Sequence, residues 1–175
     1  VMSNLSEEEF KEVYSEYQAQ KNHRKCQLKV ANLVQEGNIQ FLLYSFYKSG
    51  CTKKVNFECT RCEDPNISAF FRIDQGQPKV VICENNSLRA IKHTITHELV
   101  HAFDYCRADL SQASCKELAC TEIRASMLSG ECSLSQELLR GKFGLVGHLR
   151  ECVKRRATLS VATHPHCQGI IAQKA

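Results

Sequence analysis

Apolar residues in the first part of the chain recur at intervals of three and four, a spacing typical of helices that bury one face. Three helices are predicted there, over residues 6–17, 26–34 and 38–48. Ser6 and Glu9 have the spacing of a capping box, which marks the start of the first helix. Gly37 and Gly50 can adopt the left-handed backbone that ends a helix, so we expect them to cap the second and third helices.

After Cys51 the pattern changes to alternation of apolar and polar residues, which predicts strands. Three strands are expected, over residues 55–59, 69–74 and 79–83, with a turn at Gly76 between the last two. Together they predict a small antiparallel sheet. The strand over residues 79–83 has two compatible interpretations: half of a structural hairpin, or an edge that binds an extended peptide beside a cleft.

Helical spacing resumes at Leu88 and continues to about Tyr105, with Asn86 or Ser87 as the expected N-cap. A further helix is predicted over residues 114–129, ended by Gly130, and one or two short helices follow between residues 134 and 159. The chain shows no internal repeat or linker. We therefore predict a single α+β domain over residues 1–175, mostly helical with the small sheet beside the helix that begins at Leu88.

Eleven cysteines are spread along nearly the whole chain, well above ordinary usage. They indicate a disulfide framework, one or more structural zinc sites, or a reduced protein with many buried thiols. Only Cys59 and Cys62 have the C-x-x-C spacing of a zinc ribbon, and no second pair follows to complete four ligands. Disulfides are therefore the favoured interpretation, and the odd number leaves one thiol over.

The net charge of +4 and a pI near 8.5 are too weak to predict a nucleic-acid partner. The densest positive cluster consists of Arg150, Lys154, Arg155 and Arg156. It is interpreted first as a solvated face of the last helix, with an acidic partner or a membrane surface as the alternative. No apolar run is long enough to cross a membrane, so we expect a soluble or peripheral protein.

Residues 97–101 read H-E-L-V-H, the H-E-x-x-H pattern, and lie inside the helix predicted from Leu88. Because His97 and His101 project from one face on consecutive turns, both imidazoles can reach one zinc ion. Glu98 lies beside that face and can accept a proton from a water that the metal activates. The pattern therefore predicts a zinc peptidase with Glu98 as the general base.

A catalytic zinc usually takes three protein ligands and leaves one position for water. Glu122, on the next predicted helix, is favoured as the third ligand because the chain can turn back to present its carboxylate. Asp104 is the alternative, although its short side chain suits a residue that orients an imidazole. Glu117 is a weaker choice, since it faces elsewhere on the same helix as Glu122.

Several separated blocks around this motif closely resemble one family. They read THELVHAFD at 96–104, CRA at 106–108, AC at 119–120, EIRA at 122–125 and LSGEC at 128–132, with VVICENN at 80–86 and RATLS at 156–160. The family is that of the mitochondrial inner membrane metalloproteases that assist ATP synthase assembly, also described as Ku-binding-protein-like. The resemblance is strongest over residues 25–160.

This resemblance implies a zincin-like metallopeptidase fold with Zn²⁺ as the cofactor, and it matches His97, His101 and Glu98 to the family's zinc ligands and catalytic glutamate. It also implies residence in the mitochondrial intermembrane space, peripheral to the inner membrane, where cysteines can be paired. Family members process an ATP synthase proton-channel subunit precursor, and separately act as chaperones in the assembly of that enzyme.

The chain departs from the family's pattern at residues 163–167, around Cys167. The family also continues into a further carboxy-terminal helix with a cysteine, so we expect that helix to be truncated here at residues 169–174. The missing segment could contain the partner of the odd cysteine.

Three functions stay open at this point. The leading one is a zinc endopeptidase of narrow specificity. The second is an assembly chaperone whose hydrolytic activity is dispensable, and the third is a zinc-stabilised interaction module. No nucleic-acid partner is expected, because the positive charge is weak and dispersed.

Overall fold

The computed structural model describes residues 6–51, 53–64, 67–108, 110 and 113–167. Within these residues the elements are α1 (Glu7–Val34), α2 (Gly37–Lys48), β1 (Asn56–Thr60), β2 (Ala69–Asp74), β3 (Gln77–Cys83), α3 (Leu88–Arg107), α4 (Cys115–Leu128), α5 (Leu134–Leu139), α6 (His148–Ala162) and a 3-10 turn (Pro165–Cys167). The described chain is mostly helical with one small sheet, in agreement with the predicted α+β class. None of the described helices is long and apolar enough to span a bilayer.

The two helices predicted over residues 6–17 and 26–34 form one continuous helix, α1. The prediction of a break was wrong because residues 18–25 contain no glycine or proline and nothing else that ends a helix. The predicted capping box is confirmed: the Ser6 side chain accepts from the Glu9 N–H, and the Glu9 carboxylate accepts from the Ser6 N–H. Gly37 does not cap α1, since it is the first residue of α2, whereas Gly50 adopts the left-handed conformation predicted for it.

The sheet has the order β1-β3-β2, with β3 in the centre. Strands β2 and β3 form the predicted antiparallel hairpin around Gly76, but β1 runs parallel to β3. The prediction of a purely antiparallel sheet was therefore wrong. The hairpin inserts β3 between its neighbours, and Val80 lies opposite both Phe57 and Phe71. Residues 80–83 are all buried, as expected for a central strand covered on both faces.

The main core lies between α1, α2, the sheet and α3. Helix α3 contributes Ile91, Ile95 and Leu99, whose spacing places them on one face, and the first two are completely buried. Each such side chain stabilises the fold by about 1.5–3 kcal/mol on burial. Helix α4 also packs against α3 and then against α6, so α3 lies between the core and the carboxy-terminal helices.

The amino-terminal ends of α3 and α4 follow the predicted signals. Ser87 caps α3 by accepting from the Ala90 N–H, and Ser114 forms a capping box with Glu117 at the start of α4. Gly130 ends the α4 region with a positive φ, as predicted. Two helices follow residue 134 as predicted, α5 and α6, but α6 has 15 residues and extends to Ala162, so it is not short.

All eleven cysteines lie among the described residues, and ten of them form five disulfides. The bonds are Cys26–Cys59, Cys51–Cys106, Cys62–Cys83, Cys115–Cys167 and Cys132–Cys152. The disulfide interpretation is therefore confirmed, and Cys59 and Cys62 do not form a zinc ribbon. Cys120, exposed on α4, is the cysteine without a bond. The truncated helix expected at residues 169–174 lies outside the described residues.

Candidate metal centre

Helix α3 brings His97 and His101 together on consecutive turns. Their ring centroids are 4.8 Å apart in an edge-to-face arrangement, and both side chains are largely buried. Glu98, the next residue after His97, is also buried. This is the arrangement that the H-E-x-x-H spacing predicts for a helix.

Helix α4 crosses α3 and places Glu122 between the two imidazoles. The Glu122 Oε2 and Oε1 atoms lie 3.3 Å from His97 Nε2 and 3.4 Å from His101 Nε2. One ligating atom from each of these three residues lies within 4.8 Å of the other two, close enough to share one metal ion. The structure thus brings together the three residues named as ligands in the sequence.

The other two candidate ligands lie outside this group. Asp104 is buried, but its Oδ2 atom forms an ion pair with Arg124 Nη2 at 2.8 Å. Glu117 is exposed and caps the start of α4 through Ser114. Both carboxylates therefore have partners that hold them away from the two imidazoles.

A further acidic residue, Glu131, contacts the site and was not singled out in the sequence. His97 Nδ1–H donates to Glu131 Oε1 at 3.2 Å, and Glu131 Oε2 forms an ion pair with Arg156 Nη2 at 2.8 Å. A carboxylate at Nδ1 fixes the tautomer of the ring and leaves Nε2 free to bind a metal. Glu131 therefore orients His97, and Arg156 holds Glu131.

The turn before Glu131 is anchored on α3 by His93. Gly130 takes a left-handed conformation with φ of 76°, which lets the chain double back immediately before Glu131. His93 Nδ1–H donates to the Ser129 carbonyl at 2.8 Å, and the Gln136 amide donates to His93 Nε2 at 2.9 Å. His93 lies on the face of the two metal-site histidines, but it serves this turn rather than the metal site.

The electrostatic balance of the site is negative. Burial alone lowers the pKa of His97, but the carboxylates of Glu122 and Glu131 outweigh it and raise the pKa to about 10. Burial lowers the pKa of His101 to about 4, so its ring is neutral near pH 7. Burial opposes ionisation of Glu131, yet its contact with His97 lowers the pKa to about 2. The site therefore attracts a positive charge.

Burial has the largest effect on the pKa of Glu98 and raises it to about 7, although the positive charge of His97 lowers it. The backbone N–H of Phe71, on β2, also acts against burial and lowers the pKa of the Glu98 carboxyl. Strand β2 is an edge strand, and it packs against α3, the helix that carries Glu98. The edge role considered for residues 79–83 is excluded, because β3 is paired on both sides.

The donor set suits a divalent transition metal. Two imidazole nitrogens and one carboxylate oxygen form the ligand group of many catalytic zinc sites, which keep one position open. Glu122 Oε2 is buried and makes no hydrogen bond of good geometry with any described residue, which a metal ion would remedy. A second group of ligating atoms, from Cys115, His166 and Cys167, is not a metal site because the two sulfurs are bonded to each other.

Comparison with known proteins shows which family and which relatives this chain resembles. The model of the Peptidase M76 family matches residues 24–175. The chain is 38% identical over 160 residues to the human mitochondrial inner membrane protease ATP23 homolog, covering 88% of this chain and 64% of that protein. It is 41% identical over 161 residues to the Xenopus laevis protein of the same name, covering 88% of this chain and 66% of that one.

The similarity extends to fungi: the chain is 34% identical over 172 residues to the mitochondrial inner membrane protease ATP23 of Debaryomyces hansenii, covering 94% of this chain and 71% of that protein. The chain spans less than two thirds of the human and Xenopus proteins. No solved structure matches it.

Proposed function

Because this chain belongs to the Peptidase M76 family, we propose that it is a zinc-dependent endopeptidase with His97, His101 and Glu122 as the metal ligands. The observation that carries the proposal is the convergence of three ligating atoms within 4.8 Å, one of them from a carboxylate on a different helix. Glu131 orients His97 from the opposite side of the ring.

Zn²⁺ bound by these residues would supply Lewis-acid chemistry, polarising a peptide carbonyl and making water more acidic. Glu98 acts as the general base, accepting the proton of the attacking water and later donating it to the leaving amine. Burial raises the pKa of Glu98, which favours a carboxyl that can both accept and return a proton. The Phe71 N–H favours the ionised carboxylate of Glu98, the form that accepts the proton.

The free edge of β2 offers a way to hold the substrate. An extended peptide that adds to this edge would form backbone hydrogen bonds with β2 and run past Glu98. Such pairing recognises backbone rather than side chains, so an unfolded or extended segment of the substrate is required.

We assign the activity to the mitochondrial intermembrane space, peripheral to the inner membrane, on a precursor of the ATP synthase proton-channel subunit. Two observations support the location: the relatives are named mitochondrial inner membrane proteases, and five disulfides require an oxidising compartment. The substrate rests on the family resemblance alone.

The metal assignment is tested by elemental analysis of purified protein. We expect one zinc per chain in the wild type and in Glu98→Gln, and loss or weakening of zinc in His97→Ala and Glu122→Ala. Glu117→Gln, on the same helix as Glu122, is the matched control and should keep its zinc. Full zinc in Glu122→Ala with loss in Asp104→Asn would move the third ligand to Asp104.

The catalytic assignment is tested with Glu98→Gln in two assays. Cleavage of the precursor should be abolished while zinc is retained, because the variant lacks the base but keeps the ligands. Cleavage at the wild-type rate would exclude Glu98 as the base. Restoration of ATP synthase assembly by Glu98→Gln in depleted cells would show that hydrolysis is dispensable for that role, which is the chaperone alternative.

A further inference from the structure

The loop over residues 140–147, here called the α5–α6 loop, exposes large apolar side chains at its tip. Phe143 is 74% exposed, Leu145 66% and Val146 97%, and every residue from 141 to 147 is exposed. Leu139, just before the loop, is 68% exposed. A run of apolar side chains held in water without covering partners marks an interaction surface.

The base of this loop is firmly attached to the fold, so its exposed tip is not simply an unpacked end. The Cys132–Cys152 disulfide joins the segment before α5 to α6. The Lys142 N–H donates to the Glu137 carbonyl at 2.8 Å, and His148 Nδ1–H donates to the Leu145 carbonyl at 3.1 Å. The disulfide and these hydrogen bonds therefore hold the ends of the loop in place while its apolar tip is exposed.

Positive charge flanks the tip in the sequence. Among the residues that the structure describes, Lys142, Arg150 and Lys154 take part in no ion pair, whereas Arg155 and Arg156 form ion pairs with Glu137 and Glu131. The exposed Glu151 is the one acidic residue between these cations in the sequence. The basic cluster thus divides into Arg155 and Arg156, whose ion pairs stabilise the fold, and the outward cations Arg150 and Lys154, to which the loop adds Lys142.

Another exposed apolar stripe, on α1, differs in charge. Phe10, Tyr14 and Tyr17 are each more than half exposed, and Phe10 stacks on Tyr14. Five glutamates occupy the same part of the helix, at positions 7, 8, 9, 12 and 16. An anionic surface would repel that stripe and attract the α5–α6 loop.

We propose that the α5–α6 loop docks the protein on a membrane surface of anionic phospholipid. Phe143, Leu145 and Val146 enter the interface between headgroups and acyl chains, while the three outward cations contact lipid phosphates. This inference rests on the peripheral membrane association proposed above, and it does not depend on the peptidase chemistry.

Docking through this loop would orient the metal centre. Arg156, which holds Glu131, lies on α6 beyond His148 at the loop's end, about 12 Å along the helix at 1.5 Å per residue. The site would therefore lie close to the lipid surface, within reach of a substrate segment that leaves the membrane.

The chain contains no tryptophan, so a single introduced tryptophan reports on its own surroundings. We would measure the fluorescence of Phe143→Trp with vesicles of phosphatidylcholine alone and of phosphatidylcholine mixed with phosphatidylglycerol. Phe41→Trp, at a 67% exposed position on α2, is the matched control. We expect a blue shift for Phe143→Trp with the anionic vesicles and none for the control. Equal shifts at both positions, or no shift at either, would overturn the proposal.

Cosedimentation with the same vesicles tests the individual contributions. Phe143→Ser combined with Val146→Ser should lower binding to anionic vesicles about tenfold. Lys142→Gln and Lys154→Gln should each lower it about fivefold, and Phe41→Ser should not change it. Equal binding of the wild type to neutral vesicles would exclude the anionic lipid. Self-association that the serine pair abolishes, without vesicle binding, would identify the loop as an interface between copies.

The failure of this inference is distinguishable from that of the peptidase proposal. His97→Ala should bind the anionic vesicles as well as the wild type, whatever happens to its zinc. Normal zinc content without vesicle binding would reject the docking surface alone, and vesicle binding without zinc would reject the metal centre alone.

Discussion

At the scale of single residues, the candidate metal centre depends on which nitrogen of His97 faces which carboxylate. Glu131 accepts from Nδ1, so Nε2 is left to face Glu122. The two carboxylates therefore have different roles although both contact the same ring. Glu122 is the proposed ligand, and Glu131 positions the ring.

Substitutions at Glu131 should separate the hydrogen bond from the charge. Glu131→Ala removes both, and we expect zinc affinity to fall about 10- to 100-fold. Glu131→Gln keeps an acceptor for the Nδ1–H but loses the charge, so its affinity should lie between those of the alanine variant and the wild type. The measurement is competition with a chelating dye. If Glu131→Ala and the control Glu117→Gln both bound zinc with wild-type affinity, Glu131 would not be needed to orient His97.

The sequence was sufficient to name His97, Glu98 and His101, because a helix translates their spacing directly into a shared face. It was sufficient to suggest Glu122 only as one of three carboxylates. Glu131 lay within the LSGEC block at 128–132 that carried the family resemblance, but no spacing rule connects it to His97. Its role depends on the turn at Gly130, which is a tertiary feature.

At the scale of elements, α3 and α4 carry the three candidate ligands, and α6 carries Arg156, which binds Glu131. Helix α5 is fixed to α6 by ion pairs. Glu137 on α5 is almost fully buried, and its carboxylate accepts two bonds from Arg155 Nη2, at 2.7 and 2.8 Å, and one from Arg140 Nη1, at 2.9 Å. These contacts fix α5 to α6. The Arg140 Nη1 also donates to the Glu131 carbonyl, which connects these contacts to the site.

The ion pairs of Glu137 with Arg140 and Arg155 should make the stability of the protein sensitive to acid. Burial raises the pKa of Glu137, but the bonds with Arg155 and Arg140 outweigh burial and keep it below its ordinary value. A carboxylate with a lowered folded pKa stabilises the protein above its unfolded pKa of about 4.3 and loses that contribution as the pH falls through the folded pKa. Glu137→Gln should therefore lower the free energy of unfolding by about 1–3 kcal/mol at neutral pH.

The check is urea unfolding of the wild type and Glu137→Gln from neutral pH into the acid range. We expect the difference in unfolding free energy to shrink as the pH falls below about 4. Glu151→Gln, an exposed glutamate on α6, is the control and should show no such difference. A constant difference at all pH values would mean that the charge of Glu137 does not stabilise the protein.

Local signals predicted element starts well and element pairing poorly. Capping residues such as Ser6, Ser87 and Ser114 act within one turn, so the sequence shows them. The direction of β1 depends on which strand of the β2–β3 hairpin it pairs with, and no local sequence pattern predicts that pairing. The continuous apolar run over residues 80–83 was the sign in the sequence that β3 is central, and the structure buries all four residues.

At the scale of the whole molecule, the disulfides connect elements that are distant in the sequence. Cys26–Cys59 joins α1 to β1, and Cys51–Cys106 joins the segment after α2 to the end of α3. Such bonds restrict the unfolded chain, and each typically stabilises the folded protein by about 2–4 kcal/mol. The cysteine count predicted a framework of this kind, but the pairing could not be deduced because it depends on the fold.

Thiol titration should reveal this framework directly. In denaturant without reductant, we expect one reactive thiol per chain, that of Cys120, and eleven after reduction. Cys120→Ser should show none before reduction and should keep the stability of the wild type, because Cys120 is exposed and unbonded. Eleven reactive thiols in the unreduced native protein would refute the framework.

The Cys132–Cys152 bond has a consequence for the order in which the protein matures. It joins the residue after Glu131 to the helix that carries Arg156, so it runs beside the Glu131–Arg156 ion pair. A newly made chain with reduced thiols would contain the complete H-E-x-x-H helix but hold the Glu131 turn by noncovalent contacts alone. We therefore expect oxidation to precede tight metal loading. Under the proposed function, the chain would stay inactive until it reaches a compartment that forms disulfides, and the proteins among which it is synthesised would not be cleaved.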